Sequence, residues 1–395
     1  MDCIAVTERS QKFKVVYVTA RGFSARSFLV RHFQVLKERG YTVYLASSDD
    51  NEARDAVQRA NIPHLPIPLK ANISPITDVL ALMQLCVHFI KIKPNIVHAH
   101  MSKAGLTAML AGFICRVDLR VYHNHGMACF SAQGRSKRLL TTVEKLTCSF
   151  ATEVIFCSES TKEKAIKLGI CHQDKARVLG EGTISGVNVT KFSPQNAALE
   201  SQNLIEEIPT VTYHTGYVSF VGRVVAHKGV DTLIEAWNQV PDTVKSNYTL
   251  LIAGLNSGDD LYKRLQSLMA ADSSVQYLGR IDNIVGLYGL SNILVLPSWH
   301  EGFPYSVLEA QSCGVPAVVT NVTGNQDAVI DGQTGQIVPV NDPQALAKAI
   351  ERMLEDEIGL ERMRNSARHR ITEDFDEDVV LKNLLDFYDE KFSTE

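Results

Sequence analysis

The 395-residue chain contains no CxxC pair and no cluster of histidines and cysteines at zinc-binding spacing. Its eight cysteines, at 3, 86, 115, 129, 148, 157, 171 and 313, are scattered and mostly sit inside apolar runs. That is the pattern of buried thiols in a reducing compartment, and it excludes a small disulfide-stapled scaffold. The N-terminal stretch MDCIAVTERSQKFK lacks the positive segment and following apolar segment of a signal peptide. The sequons Asn72-Ile-Ser and Asn188-Val-Thr therefore carry little weight. No apolar run reaches membrane-spanning length. The longest, Val79 to Ile92, covers 14 residues, contains His88 and Lys91, and reads as a core or half-exposed helix.

Hydrophobic residues make up 45% of the chain and charged residues 21%, the balance of a soluble globular protein long enough for two domains. The net charge of −4 conceals an asymmetry. Residues 1–200 hold 26 Lys and Arg against 16 Asp and Glu, and the remainder 14 against 28. A basic first half suits an anionic acceptor or an anionic membrane surface, though ordinary drift in surface charge gives the same count.

Short β-rich runs alternate with helical stretches along the first half. Phe13–Thr19, Thr42–Ala46, Ile96–Ala99, Arg120–His123 and Glu153–Cys157 read as strands. Uniformly apolar strands separated by helices predict a doubly wound parallel sheet with both faces covered. Between Phe192 and Pro209 the polar stretch SPQNAALESQNLIEEIP reads as a linker, after which the alternation restarts. The expected organisation is an α/β chain of two Rossmann-like domains, 1–195 and 205–375, facing across a cleft. A C-terminal helix at 376–395, with Val379, Val380, Leu384, Leu385 and Tyr388 on one face, is expected to pack back on the first domain.

Three motifs bear chemistry. Leu294-Val295-Leu296-Pro297 leaves a strand just before His300-Glu301-Gly302-Phe303-Pro304-Tyr305-Ser306-Val307-Leu308-Glu309, where Pro304 suits the first turn of a helix. Glu301 then lies in the loop, and Glu309, leaning N-terminally from the second turn, reaches back beside it. The helix start offers N–H groups to phosphate, and a carboxylate there accepts from paired hydroxyls of a sugar or ribose. A local cap for Glu309 and an exposed loop position for Glu301 are the alternative reading. The second motif, Phe220-Val221-Gly222-Arg223 with Lys228-Gly229, puts two cations at a strand end and a helix start. They suit a diphosphate, or are simply surface basics. The third comprises His98-Ala99-His100 and Tyr122-His123-Asn124-His125-Gly126 after successive strands. Histidines there can orient hydroxyls, with His98 and His123 better placed in the core; no carboxylate neighbour supports a metal.

Gly-Arg-(x4)-Lys-Gly, then EGFPYSVLEA, then Cys313-Gly314-Val315-Pro316 and Asp331-Gly332-Gln333-Thr334-Gly335, resembles glycosyltransferase family 4 of the GT-B fold. Gly186-Val187-Asn188 is similar to that family's Gly-Val-Asp, and the first half is similar to members that build bacterial capsule or O-antigen units. The resemblance implies a retaining glycosyltransferase that moves a hexose or N-acetylhexosamine from a UDP-sugar to a polyprenyl-diphosphate-linked glycan. No metal is implied. The implied roles are the donor diphosphate for Arg223 and Lys228, the ribose for Glu309, and the donor sugar for Glu301 with Gly302, Phe303 and Pro304. His125 would stand beside the reacting carbon, and Arg280 and Ile281 would meet the base. The implied setting is cytoplasmic, peripheral on the inner face of the plasma membrane. Two positions depart from the family. The first loop, Ala20-Arg21-Gly22-Phe23, keeps only Gly22 of a Gly-Gly pair, and Gln326-Asp327 replaces Pro-Glu. A sugar-nucleotide 2-epimerase of the same architecture and a non-catalytic sugar-nucleotide-binding protein remain alternatives.

Overall fold

Apolar runs rich in Val and Ile pair in parallel, so each must be covered on both faces and joined by helices. The computed structural model describes residues 13–70, 72, 74–208, 216–256 and 259–392. Cys3 and the first 12 residues of the N-terminal stretch read for a leader lie outside the described residues, as do the sequon's Ile73 and the end of the expected linker at Pro209. The chain divides into two compact units. One comprises the chain up to Cys129, Gln133–Phe156 and Ala165–Arg177; the other comprises Phe130–Ala132, Cys157–Lys164 and everything from Val178 onward.

The first unit holds strands β1 (Lys14–Val18), β2 (Thr42–Ser47), β3 (His64–Pro66), β4 (Ile96–His100), β5 (Leu119–Asn124), β6 (Glu153–Phe156) and β7 (Ala176–Arg177). They form one parallel sheet in the order β3-β2-β1-β4-β5-β6-β7. Its helices are α1 (Val30–Glu38), entered through a π-helical turn at Ala25–Leu29, α2 (Asn51–Ala60), α3 (Pro75–Ile92), α4 (Ser102–Ile114) and α5 (Gly134–Phe150). Helix α3 has 18 residues rather than 14, because Pro75 at its first turn extends it N-terminally. With a mean hydropathy of 1.4 it is long and apolar enough to cross a membrane, which corrects the expectation drawn from the shorter run.

Helix α6 (Glu159–Lys167) begins in the second unit and ends in the first. The second unit continues with α7 (Pro194–Glu207), β8 (Gly216–Val221), α8 (Val230–Gln239), β9 (Tyr248–Ala253), α9 (Asp259–Ala271), β10 (Val275–Gly279), α10 (Ile284–Leu290) and β11 (Ser291–Leu296). It closes with α11 (Tyr305–Ser312), β12 (Ala317–Thr320), β13 (Gly335–Val338), α12 (Pro343–Glu355), α13 (Glu357–Asp374) and α14 (Glu377–Phe392). The parallel sheet runs β10-β9-β8-β11-β12-β13. In both sheets the strand order reverses once, between β1 and β4 and between β8 and β11. Loops leaving the carboxyl ends of those pairs diverge and leave room for a ligand.

The polar stretch expected to be a linker is helix α7. Ser193 caps it by accepting from the Asn196 N–H at 3.2 Å, and Pro194 supplies a preset first turn. Ala197 and Leu204 are buried, and α7 packs along α10, where a side chain on Gly286 or Gly289 would strike the α7 backbone. Helix α14 buries Val380, Leu381, Leu384, Phe387 and Tyr388, one register over from the stripe read in sequence. It belongs to the second unit, where Asn188 donates to Glu377 at 2.7 Å and Val187 pairs with Asp376. The seven described cysteines are all unpaired thiols, five of them buried.

Candidate active site

At the switch point of the second sheet, β8 and β11 lie side by side although their loops are some seventy residues apart in sequence. Arg223 follows β8, and a short turn then delivers His227 and Lys228 to the start of α8. Gly229 makes this path possible. Its φ is +72°, and a Cβ there would stand 1.9 Å from the Pro297 carbonyl oxygen that ends β11. The crossing is stapled by the Trp299 N–H donating to the His227 carbonyl at 2.9 Å.

This packing brings Lys228 onto Glu301: Nζ lies 2.6 Å from Oε1, which also accepts from Ser298 Oγ at 2.6 Å. The two side chains are 19% and 11% exposed, so the pair is largely withdrawn from water. Removing either partner would strand a charge in that setting. Arg223, exposed, lies 3.4 Å from His227 Nε2, and His227 stacks on His300 at 5.2 Å. Burial first, then His300 and the flanking cations, pulls the His227 pKa below the ordinary histidine value. His300 is lowered mainly by burial, and its buried Nδ1 has no hydrogen-bond partner. The loops thus place two cations, one acid and two neutral imidazoles at adjacent strand ends. Such a cluster can balance a diphosphate and hydrogen-bond its oxygens.

Glu309 sits on α11, which begins at Tyr305 with Pro304 as its N-cap, one position earlier than the first-turn placement read from sequence. The Glu309 carboxyl accepts from the Tyr288 hydroxyl at 3.1 Å, and burial raises its pKa to about 7. Its ionisation is thereby poised near neutrality. Phe303 is buried against Phe375 at 5.4 Å, and Gly302 lies in the same loop. Arg280 is largely exposed and paired with Asp282 at 3.3 Å. The Ile281 side chain is partly buried against the core cluster of Leu204, Tyr217, Leu251, Ala253 and Leu287. Asp327, in the departing Gln326-Asp327 pair, accepts from the Gly324 N–H at 3.2 Å and the Ser160 N–H at 3.0 Å.

The first sheet has its own loop cluster. Gly22 opens the helix after β1 and donates its N–H to Asp50 at 3.1 Å. A Cβ there would stand 2.0 Å from the Ala53 nitrogen, so this glycine is required for helix packing. His98 and His100 on β4 and His123 on β5 stack along one face of the sheet on Tyr17, at separations of 4.6 to 5.5 Å. His98 Nε2 and His123 Nδ1 are 3.2 Å apart, and His100 Nδ1 holds His125 Nε2 at 2.9 Å. Burial drives all four pKa values down, His125 to about 3. Nitrogens of His98, His100 and His123 lie within 4.8 Å of one another, near enough to suggest metal ligation. The His98 and His100 rings, however, are parallel to within 6° and 4.6 Å apart, and a metal lies in the plane of each imidazole that binds it. One ion cannot satisfy both rings unless one of them rotates. Beyond β5, a buried network of Asn124, Tyr122, Glu144 and Ser102 holds the loop that carries His125. Glu144, pushed up by burial, was not singled out by the motif reading.

Sequence motifs alone singled out Lys228, Glu301, Arg223 and Glu309 and gave no role to His227, His300, Ser298 and Tyr288, which the structure sets against them. The adjacency of β8 and β11 is what brings the first three of these together, and local spacing does not encode it.

Two doubly wound parallel sheets with loop clusters at their switch points are the architecture of GT-B glycosyltransferases. HepE of Anabaena in complex with UDP shares this fold with a TM-score of 0.78 at 19% identity, covering 96% of this chain and 100% of that one. A glycosyltransferase of Rickettsia africae does so at 0.79 and 20% identity, covering 96% and 98%. In sequence, the model for glycosyl transferases group 1 matches residues 210–370, and that for the glycosyl transferase 4-like domain matches residues 29–182. The chain belongs to this glycosyltransferase family. It is 29% identical to the capsular polysaccharide biosynthesis glycosyltransferase CapM of Staphylococcus aureus, over 90% of this chain and 91% of that protein. It is 27% identical to the UDP-Gal:alpha-D-GlcNAc-diphosphoundecaprenol alpha-1,3-galactosyltransferase of Escherichia coli, over 91% and 92%.

Proposed function

We propose that this glycosyltransferase moves a hexose or N-acetylhexosamine from a UDP-sugar, with retention, to a polyprenyl-diphosphate-linked glycan in bacterial surface polysaccharide synthesis. The observation that carries the reading is the Lys228–Glu301 pair beside Arg223 at the β8/β11 switch point. Breaking the bond between the sugar and the diphosphate leaves negative charge on the departing oxygen. Two cations at the diphosphate stabilise that charge as it forms. Lys228 would exchange its carboxylate partner for phosphate oxygen, freeing Glu301 to accept from donor-sugar hydroxyls. Glu309 would accept from the ribose. His125, in the first unit, is neutral at pH 7 and can act by hydrogen bonding but not by charge.

Support for the substrate class comes from the relatives. The E. coli galactosyltransferase is named for UDP-Gal and a diphosphoundecaprenol acceptor, and a Campylobacter jejuni relative, 26% identical over 95% of this chain, is named for a diphospho-undecaprenol acceptor. The basic first half suits such an anionic acceptor and a peripheral contact with the membrane that holds it. In this reading the cations replace a metal, and catalysis needs none. The test is turnover of a panel of UDP-sugars with a polyprenyl-diphosphate-linked acceptor. One UDP-sugar should be consumed with transfer, and Arg223→Ala should slow it about 10²-fold. Binding of UDP-sugars without transfer to any acceptor, or an Arg223→Ala rate equal to wild type, overturns the reading.

A further inference from the structure

Between β8 and α8 the chain makes one tight turn. The Val225 N–H donates to the Arg223 carbonyl at 3.0 Å, and the Lys228 N–H to the Val225 carbonyl at 3.0 Å. His227 sits in this turn between the two cations. Its carbonyl accepts from the Trp299 N–H at 2.9 Å, and its ring stacks on His300 with the planes 27° apart. Both loops of the switch point therefore hold this imidazole, which makes it a built part of the pocket.

The ring faces cations. Arg223 Nη2 lies 3.4 Å from His227 Nε2, and a guanidinium can only donate. Nε2 thus carries the lone pair and Nδ1 the proton. The other charged and titratable groups around the ring are His300, Lys228 and Glu301. Glu301 is already bound by Lys228 at 2.6 Å. Burial, His300 and the two cations hold His227 neutral. Burial also holds His300 neutral, with Lys228 and Lys164 acting the same way against Glu301. A diphosphate reverses this setting. It draws Arg223 and Lys228 onto its own oxygens, vacates Nε2 and brings negative charge against the ring. Opposite charge at contact distance favours the imidazolium.

We infer that His227 is a third phosphate-binding group of the donor site, taking up a proton as the diphosphate arrives and donating from Nε2 to a phosphate oxygen. The proton comes from solvent and returns to it when the diphosphate leaves. This rests on the donor reading of Arg223 and Lys228. The complex then holds more protons than the free protein, so affinity for the diphosphate rises as pH falls. Titration calorimetry with UDP at pH 7, in buffers of different ionisation enthalpy, counts the protons taken up by wild type, His227→Gln and His227→Asn. The UDP phosphate and Glu309 titrate alike in all three proteins and cancel in the comparison. Uridine affinity equal to wild type shows that a variant is folded. Wild type should take up about half a proton more than either variant, and between pH 8 and 6 its advantage in UDP affinity should widen about tenfold. In wild type alone, UDP should draw in protons that uridine does not. Equal uptake by wild type and the folded variants overturns the inference, as does a wild type in which UDP draws in no more protons than uridine. Failure of wild type to bind UDP at all sinks the donor reading as well, whereas UDP binding with unchanged proton uptake sinks this inference alone.

Discussion

Acid should unfold the first unit through its histidine ladder well before carboxylates come into play. His98, His100 and His123 are buried on one another, and burial lowers each pKa far below the ordinary 6.5. In the unfolded chain the same rings titrate near 6.5. Below that pH the unfolded state therefore binds protons that the folded state refuses. Stability is fully present above the unfolded value and is lost as pH falls towards the folded ones. Between pH 7 and 5.5 each ring costs roughly 1.3 kcal/mol, so the three together remove about 4 kcal/mol. That is a large share of the ~5–15 kcal/mol that holds a domain together. His125, less enclosed but lowered to about 3, acts in the same direction. Urea unfolding followed by circular dichroism at pH 7.5, 6.5 and 5.5 measures this directly. The first transition should move to much lower urea across the series, and His98→Phe should reduce the shift by about one third. A midpoint that stays level between pH 7.5 and 5.5 refutes the assignment of these rings as buried and neutral.

Other expectations follow from the second unit. Uridine affinity should fall severalfold as pH drops from 8 to 6, because Glu309 protonates near 7. Glu309→Gln should flatten that dependence, and a pH profile unchanged by the substitution removes Glu309 from the ribose site. Gly229→Ala should cost about 1–3 kcal/mol from its left-handed backbone alone, and more from the clash with Pro297. Thermal melts within a degree of wild type would contradict this. Transfer activity should persist in EDTA at its full rate, and a complete loss reversed by Mg²⁺ would replace the cation mechanism with a metal one.

Much of this architecture is legible in sequence because parallel strands are buried on both faces and so read as plain apolar runs, as Val15–Val18 and Leu294–Leu296 do. Strands β3 and β7, of three and two residues, are too short to show any pattern. Helix α7 was hidden by its polar exposed side, with Ala197 and Leu204 buried among Gln, Asn and Glu, although Ser193-Pro194 marked its start. In the site, Glu301 and Lys228 were readable because strand-to-helix loops have strong local signatures. Their direct contact, and the stacking of His227 on His300, come from strand order and have no local signature. Which face of α3 is buried was equally obscured, since both of its faces are apolar and no periodicity separates the buried from the exposed.

The central claim is that Arg223 and Lys228 hold the second phosphate of a nucleoside diphosphate. Titration calorimetry with UDP and with uridine monophosphate, on wild type and on Lys228→Ala, isolates that phosphate. Wild type should prefer UDP by about tenfold or more, and the variant should lose most of the preference while binding the monophosphate as before. An unchanged preference for UDP in Lys228→Ala and in Arg223→Ala alike would contradict the claim.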